Sequence, residues 1–465
     1  MPYQEAVATS CYKGHKEVTH HSYTATPASE AIPSVTYLSD LFLATQAEFD
    51  HHFQESGLGG FTCSVLPRLQ NVVVSFIIEA FERLGCSVYG ATVDDWETEA
   101  ILPRYANVTA QFRRILEKAH AIETSKSKLV RFTTREERAA CIRTLNELAV
   151  DFPQHRLEFR LLEAVGLRLA DCLSGKEDPL HLLFGEKLNR ELLTNTYTTA
   201  PIFSIGTRLL STLLSKLVTM RHHSEPLRLL EIGAGLGGTT KSIINLLEEK
   251  GCPFLYTFTD ISSHLVASAK KEFGGHSNLQ FMVLDVEKCP EAAMFQSQDI
   301  IISTNTVHAT KSLSESCINI RSMLTKNGIL CLIELTRPLE WYDLIFGLLD
   351  GWWRFGDGRT HAIADVQFWE KSLRKAGFDN VYWTNHDHDD GDLTRLIVAS
   401  ASTTIVEGPA SPPRPAKVIM ETVLFKQVEG IPLYADIYYP QNQTVSSKLP
   451  VGTFGNPRRN SQLLD

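Results

Sequence analysis

Residues 229–240 read Leu-Leu-Glu-Ile-Gly-Ala-Gly-Leu-Gly-Gly-Thr-Thr. An apolar run (Leu227, Leu229, Leu230, Ile232) meets an acid and then glycines at 233, 235, 237 and 238, and a helical pattern starts at Thr239. A strand that turns sharply into a helix, with glycines where Cβ atoms would obstruct, lets a ligand approach the backbone and the helix N-terminus. This is the signature of a nucleotide-type cofactor loop in a doubly wound α/β domain.

Working outward from the loop, strands and helices alternate. Strands are expected at 227–232, 254–259 (followed by Asp260), 279–284 (followed by Asp285), 299–303 and 329–335, with helices at 240–249, 265–273 and 312–324 between them. That rhythm predicts a parallel sheet. An aromatic-rich insert, 339–355, and a helix over 366–375 follow. Two last strands, 380–384 and 393–400, are joined by His386-Asp-His-Asp-Asp-Gly-Asp392. The connection is short enough for a hairpin, so the last strand is expected to run antiparallel to its neighbour. The loop's His and Asp spacing matches no zinc or EF-hand pattern, and it reads as a solvated turn.

Upstream, the pattern is helical. Val72, Val73, Phe76, Ile77, Ala80, Phe81 and Leu84 recur at three- and four-residue steps. The expected organisation is a linker at 1–34, a helical domain at 35–217, the cofactor-binding domain at 218–402, a proline-rich linker at 403–417 and a tail at 418–465. The 465-residue chain has ordinary globular composition, 43% apolar and 21% charged. A net charge of −9 argues against a nucleic-acid partner. Nine cysteines without a C-x-x-C pair read as reduced thiols of a cytoplasmic protein. The opening Met1-Pro-Tyr-Gln-Glu has no leader character, and no uninterrupted apolar run approaches the roughly 20 residues of a membrane span. No metal site and no membrane are expected.

The formal match to G-x-G-x-x-G at Gly233–Gly238 admits a nicotinamide dinucleotide. Three acids point elsewhere. Glu231 precedes the turn, Asp260 ends the second strand and Asp285 the third. Acids on adjacent strand ends suit a ligand with ribose hydroxyls, an adenine amine and a cationic centre but no phosphate, which is S-adenosylmethionine. The terminal hairpin agrees, because class I methyltransferases end in an antiparallel seventh strand. In Asn305-Thr-Val-His308-Ala-Thr310, after the fourth strand, His308 falls on the carboxyl edge where ligands of open α/β sheets bind. Glu334 ends the next strand, where a carboxylate can hold the His tautomer and stabilise the imidazolium.

These residues, together with Phe258-Thr-Asp260-Ile-Ser-Ser, Gly347-Leu-Leu-Asp-Gly-Trp-Trp353 and the helical Ile78-Glu-Ala-Phe-Glu-Arg-Leu-Gly85, resemble the C-methyltransferase domain of fungal non-reducing polyketide synthases. The resemblance spans about residues 35–400. It implies a Rossmann-like class I fold, a seven-stranded sheet with an antiparallel last strand, behind an all-helical N-terminal lid. It implies S-adenosylmethionine as cofactor, held by Glu231, Gly233, Gly235, Gly237, Asp260, Ile261, Asp285, Val286 and Asn305. It implies a catalytic His308–Glu334 pair, with Tyr197 in Asn195-Thr-Tyr-Thr-Thr-Ala-Pro201 as a third functional group. The implied substrate is a β-ketoacyl thioester on an acyl carrier protein, methylated at its α-carbon. Arg354, Arg359 and His361 are candidates for the carrier's phosphate.

The tail 418–440 resembles the opening strands of an α/β-hydrolase thioesterase, but the chain has no G-x-S-x-G elbow, so a stub of a neighbouring domain is expected. An O-methyltransferase acting on a released metabolite, and an inactive synthase remnant, remain open alternatives.

Overall fold

Strand β1 (Leu227–Ile232) carries the apolar run and is buried along nearly its whole length. The structure, a computed structural model, describes residues 35–86, 99–119, 134–221, 225–386, 388, 390–400, 418–428 and 431–440. The remaining strands of the main sheet are β2 (Phe254–Asp260), β3 (Leu279–Val283), β4 (Gln298–Thr304), β5 (Leu324–Leu335), β6 (Asn380–Trp383) and β7 (Thr394–Ser400). They are ordered β3-β2-β1-β4-β5-β7-β6. β1 to β5 are parallel, and β7 runs antiparallel between β5 and β6.

Both faces of the sheet are covered, which is why the strands read as continuous apolar runs rather than alternating ones. Leu229, Ile300 and Ile329 belong to the core on one face, while Leu230, Ile301 and Leu330, one residue on, belong to the core on the other. Buried thiols such as Cys317 and Cys331 are pushed up to about 12 by burial.

The helical part comprises α1 (Val35–Gln46), α2 (Phe49–Ser56), α3 (Leu66–Arg83), α4 (Ala106–Lys118), α5 (Thr134–Asp151), α6 (Arg156–Gly166), α7 (Leu169–Leu173), α8 (Lys187–Thr199) and α9 (Pro201–Met220). Pro201 starts α9 with its φ already helical and no N–H to satisfy. α9 buries Ile205, Leu209, Leu210, Leu213, Leu214 and Leu217, and it packs on β5 and β7. By length and composition Phe49–Arg83 and Pro201–Met220 pass as membrane spans, although neither is an uninterrupted apolar run. Both bury their apolar faces in the protein core. The later helices are α10 (Gly238–Glu249), α11 (Ser263–Phe273), α12 (Leu313–Met323), α13 (Glu340–Phe346) and α14 (Val366–Lys375).

The loop after β6 departs from the expected solvated turn. Asp390 is buried, and its two carboxylate oxygens accept the N–H groups of Gly60 (2.8 Å) and Thr62 (2.6 Å). Those amides open a one-turn π-helix, Phe61–Val65, where N–H groups have no partner within the helix. His386 pairs with Asp50 and stacks on Phe49 and Phe53. Asp390 thus caps the helical part and His386 docks against it.

β8 (Val418–Val428) and β9 (Ile431–Pro440) form a separate antiparallel hairpin, with strands where the tail's alternation predicts them. The expected linkers at 1–34 and 403–417, and the tail past 440, lie outside the described residues.

Candidate active site

The glycine loop follows β1 with three residues in the left-handed region: Gly233 at φ +62°, Gly235 at +59° and Gly237 at +78°. A Cβ on Gly233 would lie 2.1 Å from the Thr306 side chain, whose hydroxyl donates to the Gly233 carbonyl at 3.1 Å. A Cβ on Gly235 would meet nothing nearer than 3.8 Å, so there the loop faces open space. The loop presses against the exit of β4 on one side and leaves a cradle on the other.

Glu231 lies behind the loop, fully buried, accepting from Tyr256 Oη (2.7 Å) and from Thr240 Oγ1. Burial pushes its carboxyl up to about 7 in spite of those two bonds. It ties β1 to β2 and to the first turn of α10. Asp260 accepts the N–H groups of Gly235 (3.0 Å) and Ser262 (2.8 Å), and so joins the end of β2 to the loop. Its neighbour Ile261 is 59% exposed, a large apolar side chain left uncovered beside the cradle. Asp285 accepts from the Glu287 N–H (3.1 Å) and pairs with Lys288 (3.1 Å), while Val286 is buried.

Asn305 is held in the left-handed region at φ +47°. Its N–H donates to the Ile333 carbonyl (2.8 Å) and its Oδ1 accepts from Leu335 N–H (3.0 Å). Its Nδ2 is buried with no protein partner among the described residues. An unmet buried donor costs about 1–3 kcal/mol, so such a group calls for a ligand or water.

His308 sits in a one-turn 3₁₀ helix, Val307–Ala309, just past β4. Its Nδ1 lies 2.7 Å from Glu334 Oε2, and both residues are buried. A carboxylate at Nδ1 accepts a hydrogen bond from that nitrogen's N–H, leaving Nε2 with the lone pair. Glu334 follows Leu330 and Leu332 on one face of β5, which carries it to the same strand end. Its other oxygen, Oε1, is buried with no protein partner among the described residues.

An aromatic wall joins this pair to Tyr197. Rings are in contact from Tyr197 to Phe346 (6.3 Å), Phe346 to Trp352 (5.8 Å) and Trp352 to His308 (5.7 Å, edge to face). Tyr197 also meets Phe203 at 4.8 Å, and burial raises its phenol well above the ordinary range.

Sequence reading passed over Asp343. This buried carboxylate accepts from Trp352 Nε1 (3.0 Å), His361 Nε2 (2.8 Å) and Gln111 Nε2 (3.0 Å). The Ile363 N–H donates to His361 Nδ1 (3.0 Å), which assigns the neutral Nε2–H tautomer to His361. An acid inside the aromatic run 341–346 was the one available signal. Arg359 and His361 are turned inward and buried, so neither presents a free charge to a phosphate. Arg354 stays half-exposed and pairs with Glu287.

Residues 230–330 match the general methyltransferase domain family. The solved CMeT domain of the citrinin polyketide synthase superposes with a TM-score of 0.75 at 36% identity, over 81% of this chain and 100% of that one. The chain belongs to the polyketide synthase C-methyltransferase family. It is 39% identical over 458 residues to the non-reducing polyketide synthase ausA of Emericella nidulans, covering 96% of this chain and 18% of that protein. It is 39% identical over 418 residues to the 5-methylorsellinic acid synthase of Aspergillus terreus, covering 88% and 16%. The C-methyltransferase chain thus spans less than a fifth of the length of these relatives. The trans-methyltransferase CalH, solved as a complex with SAH, shares the fold at a TM-score of 0.54 and 22% identity.

This C-methyltransferase takes S-adenosylmethionine as its methyl donor. The residues present fit that group. The cradle at Gly235 is open, Asn305 Nδ2 has an unused donor among the described residues, and the Asp260 carboxylate is bonded to the loop at Gly235.

Proposed function

We propose that this C-methyltransferase methylates the α-carbon of a β-ketoacyl chain held as a thioester on an acyl carrier protein, with His308 as the base. The observation that carries the reading is the buried 2.7 Å contact of His308 Nδ1 with Glu334 at the mouth of the sheet. A carbon between two carbonyls is acidic enough for a positioned imidazole base to take its proton. His308 Nε2 receives that proton, and Glu334 stabilises the imidazolium that results.

S-adenosylmethionine, when bound, supplies the electrophilic methyl group. The loop glycines 233, 235 and 237, with Asp260, Ile261, Asp285, Val286 and Asn305, line its place, and Glu231 braces them from behind. Trp352, Phe346 and Tyr197 keep water from the reacting carbon, which strengthens each charge interaction there. The Tyr342 hydroxyl, buried with no protein partner among the described residues, is available to a ketone oxygen of the substrate chain. In this reading residues 35–217 act as a lid and substrate domain over a donor domain at 218–402. Residues 403–417 act as a linker to a hydrolase-like stub at 418–465. The enzyme works in the cytoplasm, where carrier-bound chains and donor are both available.

The test is incubation with methyl-labelled donor, an acetoacetyl carrier protein and a phenolic product, read by mass spectrometry. Label on the α-carbon of the carrier-bound chain is the expected result. Label on the phenol oxygen alone establishes the O-methyltransferase alternative. Absence of donor binding by calorimetry would leave an inactive remnant.

A further inference from the structure

We infer that Arg359 is a positioning residue for the reaction, a clamp that fixes the backbone of the His308 turn while Glu334 fixes the ring. The inference rests on His308 being the base. The 3₁₀ turn at Val307–Ala309 lies between β4 and α12; Thr310 meets the Val307 carbonyl through its N–H (3.0 Å) and hydroxyl (2.8 Å), while the carbonyls of His308 and Thr310 lie outside any ladder. Arg359 supplies the partners. Its Nη1 donates to the His308 carbonyl (2.8 Å) and the Ala362 carbonyl (3.1 Å), and its Nη2 donates to the Thr310 carbonyl (2.7 Å). One guanidinium therefore spans the catalytic turn from residue 308 to residue 310.

The guanidinium is itself held on every side. Its Nε donates to Asp357 Oδ1 (2.8 Å), and Asp357 Oδ2 accepts the Leu313 N–H at the start of α12 (2.9 Å). Its face lies 5.5 Å from the Phe355 ring. Its side chain is 2% exposed. A buried charge of this kind is tolerable only with its donors met, and here the protein backbone and one carboxylate meet them.

The geometry explains why a ring bond alone is insufficient. The His308–Glu334 contact sets the tautomer and one direction of the ring, but the Cα position is set by the turn. A short turn with its carbonyls in water could shift by an ångström, and misplacement on that scale costs about 10²-fold in rate. The fork geometry matters as well as the charge. A lysine offers a single compact ammonium that can neither span two carbonyls in one plane nor stack on Phe355.

The experiment is Arg359→Lys in the full chain, with thermal unfolding, donor calorimetry and steady-state kinetics. Folding and donor affinity are expected to hold, while kcat falls roughly 10²-fold. In a His308→Ala background the same change should cost nothing further, because the clamp acts through His308. If Arg359→Lys does not fold, Asp357→Asn gives the same readouts, with the carbonyl bonds kept and the charge that pins the guanidinium removed. Wild-type kcat, a parallel loss of donor affinity, or an additive loss on top of His308→Ala each overturn the clamp. Full turnover in His308→Ala alone sinks the base assignment instead, so the two failures are distinguishable.

Discussion

The proposed donor half and the proposed proton half of this site are built by different means. The proposed donor half is centred on a run of consecutive residues, 231–237, whose shape comes from backbone torsions and from two acids, Glu231 within the run and Asp260 at the end of the neighbouring strand, bonded to nearby amides and hydroxyls. The proton half has no such local origin. His308 comes from the exit of β4, Glu334 from β5, Trp352 and Asp343 from the insert, Arg359 from the segment before α14 and Tyr197 from α8. A ligand that needs only space and backbone dipoles can be met by a short turn. A base that must hold one tautomer in one place needs side chains from several directions.

If the halves are separable, damage to one should spare the other. The largest effect is expected for His308→Ala, a loss in kcat of up to about 10⁴-fold with donor affinity unchanged by calorimetry. A matching fall in donor affinity would break the comparison. Glu334→Gln should follow at roughly 10³-fold in kcat, because a neutral amide keeps a contact but does not stabilise the imidazolium; kinetics at saturating donor measure it.

Glu231 sharpens the comparison from the donor side. Its carboxyl is raised from 4.5 to about 7 by burial, so the fold favours the protonated form. The stability this contributes is complete below about pH 4.5 and is lost as pH rises through 7. Glu231→Gln should flatten that window by up to about 3 kcal/mol, read from denaturant unfolding at pH 5 and pH 8. An unchanged pH slope would mean the carboxylate is better solvated than its burial implies. The smallest effect is expected for Gly235→Ala. A left-handed alanine costs about 1–2 kcal/mol of stability. Its methyl enters the cradle and weakens donor binding, yet single-turnover rates at saturating donor should stay near wild type.

The strand ends at Glu231, Asp260 and Asp285 were legible because each closes an apolar run, and the glycines follow at once. His308 and Glu334 were legible by a second step, since parallel β4 and β5 place their ends side by side. Asp343 was not, because nothing local says that an acid in an aromatic helix collects three donors from 111, 352 and 361. Arg359 was read outward toward a phosphate, whereas the carbonyls of 308, 310 and 362 hold it inside. The loop at 386–392 was read as solvated, and Asp390 instead caps backbone more than 300 positions earlier in the chain.

By itself the sequence determined the alternating α/β order, the glycine turn and the acids around it. All of these depend on residues a few positions apart, through torsional freedom and hydrophobic period. Only the tertiary structure decided that β7 enters between β5 and β6, that the acidic loop docks the helical part, and that Arg359 grips the His308 turn. Those outcomes depend on which buried donors and acceptors find one another across distant segments, and local pattern carries no record of that pairing.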